Sequence, residues 1–235
     1  MEEFERTRLL IGDEALAKLR QSKVVVVGCG GVGSYAIEGL ARSGIGKLVI
    51  VDKDVVNITN LNRQLMSGYD NIDQSKVEQM KKRILTYAHC EVECVERFFD
   101  DSCQDILAGA DFVIDAIDTM SSKLALAKMC HTLKIPFVMS LGMANRLDPS
   151  QLEYTTLDKT SYDPVAKILR SMCKKEGIRF KIPVIFSREI PHRHMVMEKA
   201  GENRKERFPL ASMVFVPASA GLLAASVCVR HIIDK

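Results

Sequence analysis

Four glycines, Gly28, Gly30, Gly31 and Gly33, fall within six residues, directly after the valine run of 24–27. Apolar residues at helical spacing follow: Ala36, Ile37, Leu40 and Ala41. Strand, glycine turn and helix in that order bring backbone N–H groups up to a phosphate with no Cβ between them. Without a ligand, the same pattern is a tight turn between strand and helix. Asp52 comes about 20 residues after the glycines, at the end of a second apolar run, where a carboxylate suits a ribose hydroxyl. A solvated strand-end carboxylate is the plainer alternative. Residues 57–64 gather amide side chains around Arg63, whose planar fork of donors matches phosphate oxygens. Lys76 stands at the start of a predicted helix, where a cation opposes the macrodipole. Such conflicts are expected where a side chain serves a ligand; a solvated lysine is the alternative. Asp115 and Asp118 close a fourth apolar run, and the carboxyl ends of parallel strands are where open α/β sheets bind ligands. Asp118 there suits one-carboxylate binding of Mg²⁺, or caps the next helix.

The elements that position these residues alternate. Strands are predicted over 23–27, 47–51, 90–95, 111–115 and 135–140, and helices over 14–20, 34–42, 73–87, 102–108 and 121–133. Asp13 is the expected N-cap of the first helix. Alternation of this kind gives an α/β, Rossmann-like, mainly parallel sheet flanked by helices. Beyond Gly142 the pattern changes. A weakly alternating stretch at 151–157 reads as an antiparallel strand. A helix over 163–175 has Asp163 at its N-cap and Pro164 at its first position. Another strand spans 182–187. Residues 188–208 are polar and aperiodic and read as a long mobile loop. The chain is expected to form a single domain, with a nucleotide-binding core at 1–142 and a substrate-facing, antiparallel and helical part at 143–235.

The 235 residues carry a net charge of only +3, so charge alone does not announce nucleic acid. The basic excess is local. Residues 151–210 hold 13 Lys and Arg against 8 Asp and Glu. His192 and His194 fall there and read as part of a solvated basic loop, with no acidic partner expected. The seven cysteines form no CxxC pair, which argues against a zinc ribbon. Their odd number, without a signal peptide, suggests free thiols in the cytoplasm. Cys90 and Cys94 share a strand face and read as core thiols; Cys173 reads as structural. The apolar run at 213–229, interrupted by Pro217, reads as a buried C-terminal helix and not a membrane span.

With these residues in view, the sequence resembles the ubiquitin-activating-enzyme-like (ThiF/MoeB-type) superfamily. The matching motifs are GCGGVGS at 28–34, DKD at 52–54, NLNRQ at 60–64, Lys76, and DAID at 115–118 followed by Lys123. The resemblance implies adenylation of a carboxylate with ATP and Mg²⁺. Gly28, Gly30, Gly31 and Gly33 would shape the loop under ATP, with Asp52 on the ribose and Asp54 beside it. Asn60, Arg63, Gln64 and Lys76 would hold the phosphates, and Asp118 the metal. Arg6 would reach into the neighbouring subunit's site, which makes the working unit a homodimer. Catalysis would rest on Arg63, Lys76, Asp118 and Arg6. Within the superfamily, ERTRLLIGDEAL, ARSGIGKLVIVD, DPSQLEYTTLDKT and IPVIFSRE resemble the tRNA threonylcarbamoyladenosine dehydratase group. That implies cyclisation of threonylcarbamoyladenosine beside the anticodon, with the tRNA anticodon arm as partner. A sulfur-transfer protein and a monovalent cation remain open, the cation without assigned ligands. The first alternative activates the C-terminus of a ubiquitin-like sulfur carrier protein. The second, an NAD-dependent oxidoreductase, shares the glycine loop and Asp52 but leaves NLNRQ, Lys76 and DAID unexplained.

Overall fold

A computed structural model describes residues 3–192 and 210–234. Its centre is a seven-stranded sheet: β1 (Lys23–Val27), β2 (Lys47–Val51), β3 (Glu91–Val95), β4 (Phe112–Asp115), β5 (Phe137–Ser140), β6 (Leu152–Thr156) and β7 (Pro183–Ser187). The spatial order is β3-β2-β1-β4-β5-β7-β6. Every pairing is parallel except β6 with β7. The expected mainly parallel, Rossmann-like α/β sheet is thus what forms, and the antiparallel strand of the late segment joins its edge.

The valine run explains why β1 sits centrally. Val24 and Val26 pack on one face of the sheet and Val25 and Val27 on the other, each at most 2% exposed. Burying each contributes about 1.5–3 kcal/mol. The first face is covered by α2 (Gly33–Ser43), α3 (Lys76–Ile84) and α6 (Phe215–Ile233), the second by α4 (Met120–Leu133) and α5 (Pro164–Lys175). The strand order reverses between β1 and β4, so the loops leaving their carboxyl ends part and open a crevice.

Four expectations need correction. The first helix, α1, spans Glu5–Gln21 and begins well before Asp13, with a kink at Gly12 that marks where the amphipathic spacing starts. Residues 102–108 hold only a 3₁₀ turn, Gln104–Leu107; an Asx turn from Asp100 to Ser102 occupies the start, and Gly109 with positive φ ends it. The helix expected at 73–87 is trimmed to Lys76–Ile84, because Asp73 takes a positive φ and Ser75 bridges to Val55. Pro217 does not interrupt α6. It lies in the first turn, where its missing N–H costs no intrahelical bond. Among the described residues α6 alone is long and apolar enough to cross a membrane, and half of that stretch is buried in the fold.

Candidate nucleotide-binding site

The loop after β1 is fixed by steric demands at two glycines. Gly28 has φ 96°, and a Cβ there would come 2.5 Å from the Ala116 carbonyl oxygen. A Cβ on Gly33 would meet the Gly28 carbonyl oxygen at 1.7 Å. The β1 and β4 loops therefore touch at the switch point, and only glycine permits it. A Cβ on Gly30 would find nothing closer than the Gln64 amide nitrogen at 3.9 Å. That open space belongs to a cleft of about 410 Å³, lined by Gly28, Gly30 and Gly31, Asp52, and the loops after β2 and β4.

Asp52 is held at the cleft rather than left in solvent. One carboxylate oxygen accepts the Cys29 N–H at 2.7 Å and the other the Asp54 N–H at 2.9 Å. Lys76 is nearly buried, with Nζ 3.2 Å from Asp54 Oδ2. Arg63 donates to the Thr59 carbonyl at 2.8 Å and to Asn62 Oδ1 at 2.9 Å, which extends the guanidinium along the cleft wall. Gln64 is 7% exposed, and its Oε1 has no hydrogen-bond partner among the described residues. The amide Nε2 faces the open glycine cradle and can donate to a phosphate oxygen, while the orphaned Oε1 needs a donor, which a hydroxyl or amine of a ligand supplies and a phosphate does not. Five cations line the cleft, Lys53, Arg63, Lys76, Arg97 and Lys123, against three carboxylates, Asp52, Asp54 and Asp118. The cleft is thus suited to an anion.

The two β4-loop carboxylates differ in kind. Asp115 is fully buried. Its Oδ1 accepts the Ile117 N–H at 2.9 Å and Lys123 Nζ at 3.0 Å, while Oδ2 lacks a partner among the described residues. Burial pushes its carboxyl up, opposed by the Lys123 charge and the Ile117 N–H. Lys123 also donates to the Ser140 carbonyl at 2.6 Å, tying the ends of β4 and β5 together beneath the cleft. Asp118 is exposed at the mouth. The helix-cap alternative for it fails, since α4 starts at Met120 with Thr119 in the N-cap position.

Three sequence candidates lie outside the cleft lining. Gly33, the first residue of α2, packs beneath the turn against the Gly28 carbonyl. Asn60 faces away, its Oδ1 taken by the Asn57 N–H at 3.0 Å in a capping box. Its carbonyl accepts the N–H groups of Arg63 and Gln64, so it shapes the turn that carries both. Arg6 is exposed on α1. The sequence reading in turn missed Lys53, Arg97, Phe98 and Arg146. The first three follow β2 and β3, where the fold delivers loops to the crevice; Lys53 Nζ sits 5.3 Å from the centre of the Phe98 ring. Arg146 is buried against Asp163 and donates to the Gly142 carbonyl and, at 3.3 Å, to that of Glu189. No periodic pattern marks an arginine in a loop, so no signal singled it out.

Asn145 gathers the ends of the late polar stretch. Its carbonyl accepts the His192 N–H at 2.7 Å, and its side chain accepts the Ala211 N–H at 2.8 Å. Leu210 and Ser212 line the cleft. Residues 193–209, His194 among them, lie outside the described part, and so does most of the loop expected over 188–208. Contrary to expectation, His192 has an acidic partner: its Nε2 is 2.8 Å from Glu189 Oε1. Burial raises the Glu189 carboxyl, but the N–H groups of Asp148 and Leu147 and the nearby His192 more than offset this and hold it low. The thiols of Cys90 and Cys94 are buried and half-buried. Cys173 is half-buried in α5, and desolvation pushes its thiol up, the opposite of activation.

The ThiF family profile matches residues 4–233. The tRNA threonylcarbamoyladenosine dehydratase of Bacillus subtilis is 42% identical over 232 residues, covering 95% of this chain and 91% of the relative. That of Escherichia coli is 41% identical over 176 residues, covering 74% of this chain and 66% of the relative. The crystal structure of the E. coli enzyme in complex with ATP superposes with a TM-score of 0.89 at 34% identity, covering 99% of this chain and 94% of that one.

Proposed function

The chain belongs to the ThiF family, and from that membership and the shape of the cleft we propose that it is an ATP-dependent tRNA threonylcarbamoyladenosine dehydratase. One observation carries the reading: a glycine turn, Asp52, Arg63, Lys76 and the exposed Asp118 converge on a single anion-suited cleft. A nucleotide fits this set. The glycine turn would lie under the phosphates and Asp52 would face the ribose, beside Asp54. Gln64, Arg63 and Lys76 would hold phosphate oxygens, with Asn60 acting through the turn it caps.

The reaction joins two anions, the threonyl carboxylate of the modified adenosine and the α-phosphate of ATP. Attack of one on the other needs fixed positive charge between them. Arg63 and Lys76 would supply it in the same subunit, and Arg6 from the other subunit of a homodimer. Asp118 would hold Mg²⁺, which when bound supplies further charge to the phosphates. Among the described residues no cluster of three or more His, Cys, Asp or Glu forms a metal cage, and Mg²⁺ held by one carboxylate and a nucleotide needs none. Pyrophosphate leaves on adenylation. The ureido oxygen of the same modification then attacks the acyl carbon and AMP leaves, closing the ring. That step is intramolecular, so positioning contributes heavily and no enzyme nucleophile is required. The raised Cys173 thiol agrees with that economy.

The RNA would approach with its anticodon arm at the cleft edge; in sequence, residues 193–209 carry five Lys and Arg and three Glu. The seven thiols, all unbridged, support a place in the reducing cytoplasm. The test is pyrophosphate release. The reading expects release to require both ATP and tRNA bearing threonylcarbamoyladenosine. Release driven instead by a small ubiquitin-like protein with a Gly-Gly tail would move the sulfur-carrier reading into first place. Binding of NAD in preference to ATP would revive the oxidoreductase.

A further inference from the structure

Tyr162 has a backbone φ of 52°, in the left-handed region. The other described non-glycine residues with positive φ have local reasons for it. Asp73 and Asn145 carry short polar side chains that tolerate the region, and Lys134 ends α4 as its C-cap. Tyr162 has neither reason. Its neighbours hold it there. Thr160 is buried and donates to the Leu157 carbonyl at 2.8 Å, and Arg170 donates to the carbonyls of Leu157 at 3.1 Å and Thr160 at 3.3 Å. On the other side Asp163 is buried, accepts the Ala166 N–H at 2.9 Å as the cap of α5, and meets Arg146. A strained residue pinned from both sides is characteristic of places where a side chain is presented to a ligand.

The side chain so presented is a phenol on a residue that is 66% exposed. It stands next to the cleft wall. Asp163, the following residue, lies behind Gly142: a Cβ there would be 3.7 Å from both carboxylate oxygens of Asp163, and Gly142 and Val165 line the cleft. The flanking charges are mixed with a cationic excess: Lys159 and Lys167 are exposed three residues before and five after Tyr162, with exposed Asp158 beside Lys159, and α5 begins two residues on, with the positive end of its dipole. A flat exposed aromatic amid that excess suits a nucleic-acid base above its own phosphates, and RNA is read chiefly through unpaired bases stacked on such rings.

Resting on the dehydratase reading above, we infer that Tyr162 is a stacking platform for an unpaired base of the RNA substrate, set beside the mouth of the nucleotide cleft. The platform binds RNA and takes no part in the chemistry, so its signature lies in tRNA affinity.

The experiment titrates wild type, Tyr162→Phe, Tyr162→Ala and Tyr162→Gly with substrate tRNA over a salt series, alongside ATP binding, thermal melting and sedimentation. Tyr162→Phe should bind tRNA within about twofold of wild type, since the ring is kept. Tyr162→Ala should lose about five- to hundredfold in affinity, the range of one stacked base. The log–log salt slope should not change, because stacking releases no counterions, and ATP affinity should be untouched. Tyr162→Gly should melt at higher temperature, because glycine relieves the left-handed strain, yet lose the same affinity. That opposition separates presentation to a ligand from a purely structural role. Wild-type affinity in the alanine and glycine variants would overturn the proposal and leave the dehydratase reading standing. So would a change in subunit association with tRNA binding intact. A wild type that binds no tRNA would overturn both.

Discussion

Asp115 and Asp118 stand three residues apart on the same strand end, and burial gives them opposite roles. Asp115 and Lys123 form an ion pair with side chains 0% and 1% exposed. Breaking such a pair leaves a charge stranded, so Lys123→Met should cost about 3–5 kcal/mol in urea unfolding. Adding Asp115→Asn to that variant should recover part of the loss, because the stranded charge goes with it. Asp118 is exposed and caps nothing. Asp118→Asn should therefore melt like wild type while pyrophosphate release falls by at least about a hundredfold. Normal release in a folded Asp118→Asn would remove it from the site. The sequence marks both carboxylates as strand-end candidates, but burial is a tertiary property, and only the packed sheet separates structural from functional. Gln64 illustrates the same limit: its place in NLNRQ is legible, but the orphaned Oε1 beside the open cradle is not.

The β1 turn is where the local sequence and the fold agree most closely. Gly28→Ala should cost about 2–4 kcal/mol, combining the left-handed backbone with the Ala116 contact, and should weaken ATP binding measured at a temperature where the variant stays folded. A second element-scale device is Glu38 on α2. Its carboxylate accepts Arg83 Nε at 3.0 Å, Tyr87 OH at 2.7 Å and Arg42 Nε at 2.7 Å, joining α2 to the end of α3. Burial raises its carboxyl, but Arg83, Tyr87 and Arg42 together hold it below the ordinary 4.5. A depressed folded value means the contribution is complete above 4.5 and fades as pH falls through the lower folded value. The stability gap between wild type and Glu38→Gln should therefore narrow as pH falls below 4.5 and through the lower folded value. A gap that does not change with pH would show that the carboxylate charge is irrelevant. The unbroken valine run of β1 and the helical spacing of α2 and α5 are legible from the sequence, and even the weak alternation of the antiparallel β6 suffices. The misread ones turn on tertiary or loop geometry: the α1 kink at Gly12, the 3₁₀ turn of Gln104–Leu107, and the bounds of α3, cut back by the positive φ of Asp73 and the bridge from Ser75 to Val55.

At the scale of the whole molecule, the proposal that Arg6 acts from the other subunit of a homodimer makes a prediction about mixed proteins. Arg6→Ala and Asp118→Asn proteins should each be inactive alone. Mixed after subunit exchange, they should regain roughly a quarter of wild-type activity, because random pairing leaves one intact composite site in half of the dimers. No recovery despite proven exchange would place Arg6 outside the chemistry. The sheet brings every remaining part to one edge: the glycine turn from β1, Asp52 from β2, Arg97 from β3, Asp118 from β4 and Gly142 from β5. Asn145 ties His192 and Ala211 together beside them. What such an edge does to RNA is read most directly by mass analysis of nucleosides from tRNA carrying threonylcarbamoyladenosine, after incubation with the protein and ATP. The account predicts that this nucleoside is replaced by one lighter by a single water, only when ATP is present and not with Asp118→Asn. An unchanged nucleoside, in the presence of protein that binds both ATP and tRNA, would contradict it.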